Sequence, residues 1–392
     1  MCQILGMNAN TETDFVFSFQ GFCKRGGETD KHKDGWGISF FEGKGVRTFL
    51  DSRPACTSPI ANILQSYPVK TLNMISHIRY ATVGKVCLEN VHPFQREMWG
   101  INFCFAHNGD LPNFHSSSPE GDPNQPSTSP SPSPDLGQLI LATPPRSPSM
   151  TMTRNKNSIN DLSNSFIENV NNSFLKDSEI AESKRFTPVG NTDSEKVFCL
   201  ILNSLYNKFT EPPTLHCLHV FLKLLVDQIV QDSPPESTIF NFLLCVGEFT
   251  QFAFCYPGTR PGSTVYNGLH YIIRKYPFNF AQLSDVDVTI DFSAVTTEND
   301  RVAVVATKPL TTDEDWIEMG KGELLLFHQG VAYSQNHDDD DGCGSEEARE
   351  NFADDAREVV DVCEVANEPV SAGGGITNLN CPARRKNRTN SF

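Results

Sequence analysis

The sequence has no C-x-x-C pair. Its twelve cysteines stand at 2, 23, 56, 87, 104, 199, 217, 245, 255, 343, 363 and 381. That spacing offers neither a zinc ribbon nor a thioredoxin-type redox motif. No apolar run is long enough to cross a bilayer, so no membrane attachment is expected. Neither G-x-G-x-x-G nor G-x-x-x-x-G-K-[ST] occurs, which removes the usual glycine-rich phosphate cradles. Positive charge is scarce: 32 Lys and Arg stand against 48 Asp and Glu, for a net charge of −16. A nucleic-acid-binding face would be basic, so nucleic acid is not an expected partner. The first twenty residues have no basic n-region and carry Asn8, Glu12 and Asp14, so no signal peptide is expected. Twelve unpaired thiols then point to a reducing, cytoplasmic compartment.

Three compositions alternate along what is present. Residues 1–114 contain β-type runs such as "GWGISFFEG", "LNMISHIRYATVG" and "INFCFAHNG". Residues 115–187 are rich in Ser, Pro and Asn and are too poor in apolar residues to offset chain entropy. They read as a disordered insertion. Ser129, Ser131, Ser133 and Ser147 each precede a proline there, which suits proline-directed phosphorylation; a tolerated surface loop is the plainer reading. Folded sequence resumes near 188. "TDSEKVFCLILNSLYNKF" has helical spacing, with Val197, Leu200, Ile201, Ser204 and Leu205 on one stripe. "TLHCLHVFLKLLVDQIVQ" is apolar on most faces and predicts a buried helix. Further β-type runs follow: "FNFLLCVGE", "QFAFCY", "LHYIIRKYP", "RVAVVAT" and "ELLLFHQG". Residues 336–392 are acidic, then Gly-rich, then basic, and read as a disordered tail. Strand runs, two helices and more strand runs predict an α+β fold with largely antiparallel sheets.

Four short stretches carry candidate chemistry. The chain opens "MCQILG". Cys2 is either a small apolar residue opening a strand or a nucleophile. Removal of Met1 would leave a thiol and a free α-amine on one residue, and an amine titrating near 8 can serve as base for its own thiol. In "HIRYATVG", Arg79 offers a planar fork to a carboxylate, or else pairs on the surface. In "FAHNGDL", Asn108 and Gly109 form a tight turn or supply an amide and a backbone N–H to an oxyanion. In "GNTDSEKVF", Thr192 or Asp193 caps a helix, or Asp193 or Glu195 receives a substrate ammonium. His216 and His219 lie three apart in an apolar stretch with no third ligand in view. They read as packing histidines, and no metal or cofactor is expected.

In this order the four motifs resemble the class II glutamine amidotransferases, N-terminal-nucleophile hydrolases with cysteine as nucleophile. "KHKDGWGISFF", "NVHPF", "LHYIIRKYPF", "TTENDRVAVVATKPLTTDEDW" and "GELLLFHQG" are similar to the stand-alone YafJ-type branch. The resemblance covers roughly 2–114 and 188–335. It implies a four-layer αββα sandwich over 2–335, interrupted by the 115–187 insertion. It implies Cys2 as nucleophile with its own α-amine as base, and Asn108 and Gly109 as the oxyanion hole. It implies Arg79 on the substrate α-carboxylate, Asp193 on the α-ammonium, Thr82 as a helper, and Asp34 to Gly37 as a loop flanking Cys2. The substrate would be glutamine or another γ-glutamyl small molecule. A separate ammonia-accepting subunit, or a peptidase-like subunit in glutathione-type hydrolysis, is the partner implied. The insertion, the acidic tail and the lack of a visible ammonia-receiving domain depart from the family. An inactive scaffold that binds partners through insertion and tail is the reading from a different class.

Overall fold

Strand periodicity sets the architecture. In the computed structural model, residues 2–67, 69–81, 84–115, 184–258 and 266–334 are described. Residues 116–183, with the four Ser-Pro sites, and the tail beyond 334 lie outside them. So does Thr82. Every described residue belongs to one unit, Met1–Gly344.

In chain order the strands are β1 (Gln3–Asp14), β2 (Trp36–Glu42), β3 (Gly45–Asp51), β4 (Lys70–Ile78), β5 (Phe94–Met98), β6 (Ile101–Asp110), β7 (Ile239–Val246) and β8 (Thr250–Cys255). They continue with β9 (His270–Lys275), β10 (Phe280–Gln282), β11 (Thr289–Asp291), β12 (Arg301–Ala306), β13 (Ile317–Glu318), β14 (Glu323–His328) and β15 (Val331–Tyr333). The helices are α1 (Val16–Lys24), α2 (Pro59–Leu64), α3 (Asp193–Lys208) and α4 (Leu215–Gln231). One sheet runs β13-β9-β12-β1-β4-β2-β3 and the other β15-β14-β8-β7-β6-β5. Every pairing between their strands is antiparallel. β10 and β11 form a separate small ribbon.

Alternation along each strand assigns its residues to two faces. Ile4, Ile75, Ala303 and Val305 of the first sheet share a buried cluster with Cys104, Ala106, Leu243, Cys245, Ala253 and Phe327 of the second. This is the core between the sheets. The intervening residues Leu5, Met7, Met74, Val302 and Val304 face outward. They pack with Phe19 and Phe22 of α1 and with Ala61 and Leu64 of α2. On the outer face of the second sheet, Phe105 stacks on Phe198 of α3 with ring centroids 5.0 Å apart. There too His219 of α4 packs on Phe252 and bonds the Leu324 carbonyl through Nε2 at 2.9 Å. The layers are therefore helix, sheet, sheet, helix, the αββα sandwich. His219 is a packing residue, as its apolar setting suggests.

Three details differ from the sequence reading. Helices α1 and α2 are additional to the two that helical spacing predicts. The buried stripe of α3 is Val197, Phe198, Ile201, Leu202 and Leu205. Leu200 and Ser204 are half-exposed instead, because Phe105 draws the Phe198 side of the helix onto the sheet. Finally, Phe186, which composition places in the insertion, is buried and exchanges two hydrogen bonds with the Asn203 side chain.

Candidate functional site

Strand register brings the four motifs to one end of the two sheets. β1 pairs with β4 through Gln3↔Ile78 and Ile4↔His77. One step further, Cys2 comes level with Arg79, on the same face as Ile4, toward the second sheet. The Cys2 sulfur accepts the Tyr80 N–H at 3.3 Å and lies 3.5 Å from the Tyr80 carbonyl, to which the thiol donates. Burial pushes the Cys2 thiol up. The Tyr80 backbone, the positive chain terminus and Arg79 pull it back, and Asp193 adds to the rise.

The 79–81 segment is itself gripped. Asp34 Oδ2 accepts the Ala81 N–H at 2.7 Å, the Asp34 N–H donates to the Arg79 carbonyl, and the Gly35 carbonyl accepts the Arg79 N–H at 2.8 Å. The expected loop at 34–37 thus holds the residues on either side of Tyr80, which in turn holds the sulfur. Trp36 and Gly37 open β2 and are not loop residues, since both pair with β4. The Arg79 side chain is 4 % exposed and its Nη1 donates to the Lys85 carbonyl at 2.9 Å.

Asp193 opens α3. Its Oδ2 accepts the Leu111 N–H at 3.0 Å, and Ser194 Oγ lies 3.4 Å from Oδ1. Thr192 caps the helix, accepting the Glu195 N–H at 3.3 Å. Glu195 is committed elsewhere: it pairs with Arg96 at 2.6 Å and accepts the Gly190 N–H at 2.6 Å. Of the two acids considered for an ammonium, only Asp193 reaches the cleft.

That cleft is lined by Cys2, His77, Arg79, Tyr80, Gly109 and Asp193, among others, and its empty space, open mouth included, is about 330 Å³. Gly109 is required by close approach: a Cβ there would sit 1.9 Å from the Ile239 carbonyl oxygen. Asn108 is placed differently from Gly109. Its side chain is fully buried on the inter-sheet face, and Nδ2 lies 3.3 Å from Thr307 Oγ1.

The sequence reading missed three buried histidines, His77, His92 and His107, in the same wall. His77 and His107 stand inside stretches singled out for a neighbour, "HIRYATVG" and "FAHNGDL", and His92 stands in "NVHPF", quoted for the family resemblance alone. A histidine beside Arg79 and another beside Asn108 were the signal available. The His77 and His92 rings are 4.1 Å apart. Burial, reinforced for His77 by the Arg79 charge and for His92 by the other two rings, holds both well below the ordinary imidazole range. His107 is also lowered by burial, against the pull of Asp193. Its Nε2 faces the Ile239 carbonyl at 3.4 Å, which can only accept, so Nδ1 is left bare to accept the Ser194 hydroxyl at 2.8 Å. The hydroxyl proton goes to the shorter contact. Asp193 Oδ1 therefore keeps its lone pairs.

Among the described residues, Asp110, His115 and Asp193 bring three potential metal-ligand atoms within 4.8 Å of one another. Asp110 Oδ1 and His115 Nε2 are 2.9 Å apart. These are donor types that a divalent cation accepts.

Comparison with known proteins gives one consistent result. The family model described as "Glutamine amidotransferases class-II" matches residues 1–130 and 166–350. A protein of Escherichia coli strain K12 named "Putative glutamine amidotransferase YafJ" is 38% identical over 331 residues, covering 84% of this chain and 98% of that protein. A Haemophilus influenzae protein named "Putative glutamine amidotransferase" is 37% identical over 330 residues, covering 84% and 85%. The 2.0 Å crystal structure of a "predicted glutamine amidotransferase" from Pseudomonas aeruginosa PA01 aligns with a TM-score of 0.50 at 30% identity. That alignment covers 85% of this chain and all of the other.

Proposed function

The chain belongs to the class II glutamine amidotransferases, and on that premise we propose that it hydrolyses the side-chain amide of glutamine, or another γ-glutamyl bond, through a thioester on Cys2. The observation that carries this reading is one cleft lined by Cys2, Arg79, Gly109 and Asp193. A guanidinium and a carboxylate in one small cleft suit an α-carboxylate and an α-ammonium, and so select a substrate with a free amino-acid end.

The raised thiol is protonated near neutral pH, so it needs a base. Loss of Met1 would place the α-amine of Cys2 beside it. The amine takes the thiol proton as the sulfur attacks the γ-carbonyl carbon. The carbonyl electron pair moves to oxygen, and in this reading the Gly109 N–H and the Asn108 amide are assigned to that oxyanion. Collapse breaks the C–N bond, and the ammonium formed at the α-amine returns its proton to the departing ammonia. Water then attacks the thioester with the same amine as base, releasing glutamate and restoring the thiol.

Ammonia release from glutamine tests this. The wild-type chain releases ammonia, and Cys2→Ala loses at least about a thousandfold in rate. A Cys2→Ala variant as active as wild type sinks the reading. Glutathione in the same assay tells a γ-glutamyl peptide from an amide as the preferred substrate.

A further inference from the structure

The hydrogen bonds around Asn108 assign a part to Thr307, a residue outside the four stretches that carry candidate chemistry. Thr307 follows β12 and lies opposite Ile4, two residues after the nucleophile. The Thr307 N–H donates to the Ile4 carbonyl at 3.1 Å, and Thr307 Oγ1 accepts the Ile4 N–H at 2.9 Å. The same oxygen lies 3.3 Å from the Asn108 amide.

A threonine hydroxyl has one proton to give. With Nδ2 turned toward it, Oγ1 receives two N–H groups, and its own proton has no acceptor among the described residues. In that orientation Asn108 Oδ1 is buried and meets no donor among the described residues. Both faults have one cure. The oxygen and nitrogen of an asparagine amide are interchanged by a half-turn about the terminal bond, and the hydrogen-bond network decides between them. With the amide turned, Oγ1–H donates to Oδ1, and Oγ1 still accepts from Ile4. The NH2 then occupies the position where the oxygen met no donor. The Asn108 backbone does not turn with it, since its carbonyl accepts the Asn241 amide at 3.1 Å.

We propose that Thr307 is a positioning residue for the oxyanion hole. Its hydroxyl proton fixes the Asn108 amide oxygen and so commits the amide NH2 to the charge that develops on the substrate. The proposal rests on the hydrolytic reading above. It ties the donor to β1 two residues from Cys2, so that nucleophile and oxyanion donor are set from one strand. A donor that acts on a developing oxyanion is felt in the transition state and little in the ground state.

Glutamine hydrolysis by Thr307→Val, Thr307→Ser and Cys2→Ala separates the claims. Valine keeps the shape and removes the proton. Thr307→Val is expected to lower kcat by about a hundredfold, the usual loss for one oxyanion donor, with KM within about threefold of wild type. Thr307→Ser is expected to recover kcat to within about threefold. Thermal melts establish that each variant is folded; if Thr307→Val does not melt cooperatively, Thr307→Ala takes its place. A folded valine or alanine variant with wild-type kcat overturns the proposal. So does a loss that serine fails to rescue, or one carried by KM. Full activity in Cys2→Ala would instead overturn the hydrolytic reading itself.

Discussion

At the scale of the residue, the cleft is built from groups held in defined protonation states. His77, His92 and His107 are buried and neutral, and this has a consequence for stability. Their folded-state pKa values lie below the ordinary value near 6.5. As pH falls through about 6.5, the unfolded chain takes up protons that the folded chain does not, so stability falls. Above that range these groups contribute no slope. His77 and His92, held well below the ordinary range by burial, both act in this direction. His219, pushed down to about 4 by burial, acts with the same sign. The thermal midpoint is expected to drop clearly between pH 7.5 and 5.5 in melts followed by circular dichroism. A midpoint that stays level or rises would contradict the neutral-histidine wall. Cys2, Arg79, Gly109 and Asp193 were legible in the sequence because each sits in a short motif with its own chemistry. Thr307, Ser194 and Tyr80 were not: they act through register, through a helix turn and through backbone atoms, none of which has a sequence signature.

At the scale of the element, α3 shows how local rules place a functional carboxylate. Thr192 is the N-cap and Asp193 the first helical residue. An acid in the first turn complements the helix dipole, and the cap fixes where that turn begins. Glu195 sits three residues after the cap, where a capping box would have it, but spends its carboxylate on Arg96 and Gly190. Thr192→Ala is expected to cost about 1 kcal/mol of stability. It is also expected to raise KM for glutamine more than it lowers kcat, because the turn carrying Asp193 loosens. Chemical denaturation and steady-state kinetics check both, and an unchanged midpoint would show that the cap does not fix the turn. The strands were legible where apolar runs were long, as in "FNFLLCVGE" and "RVAVVAT". Helices α1 and α2 were not. "VFSFQGFCK" is aromatic enough to read as strand, and "PIANIL" is too short for a helical period to emerge.

At the scale of the molecule, the site exists because two sheets approach closely at β1. A Cβ on Gly6 would lie 2.5 Å from Gln251 Oε1 and 2.7 Å from a Leu243 methyl, so a larger residue there would have to push these side chains of the second sheet aside. The same approach sets Thr307 and Ile4 of one sheet against Asn108 of the other. The α+β class could be read from the order of runs. The pairing of β1 with both β4 and β12, which brings residues 2, 79 and 307 together, could not, since it joins strands nearly 300 positions apart in the chain. The central claim is that Cys2 is a nucleophile whose base is its own α-amine. Mass spectrometry after treatment with 6-diazo-5-oxo-norleucine tests it most directly. The account predicts a single adduct, on a peptide that begins at Cys2 with Met1 absent and the amine free. An adduct on another of the twelve cysteines, or active enzyme that retains Met1, would contradict it.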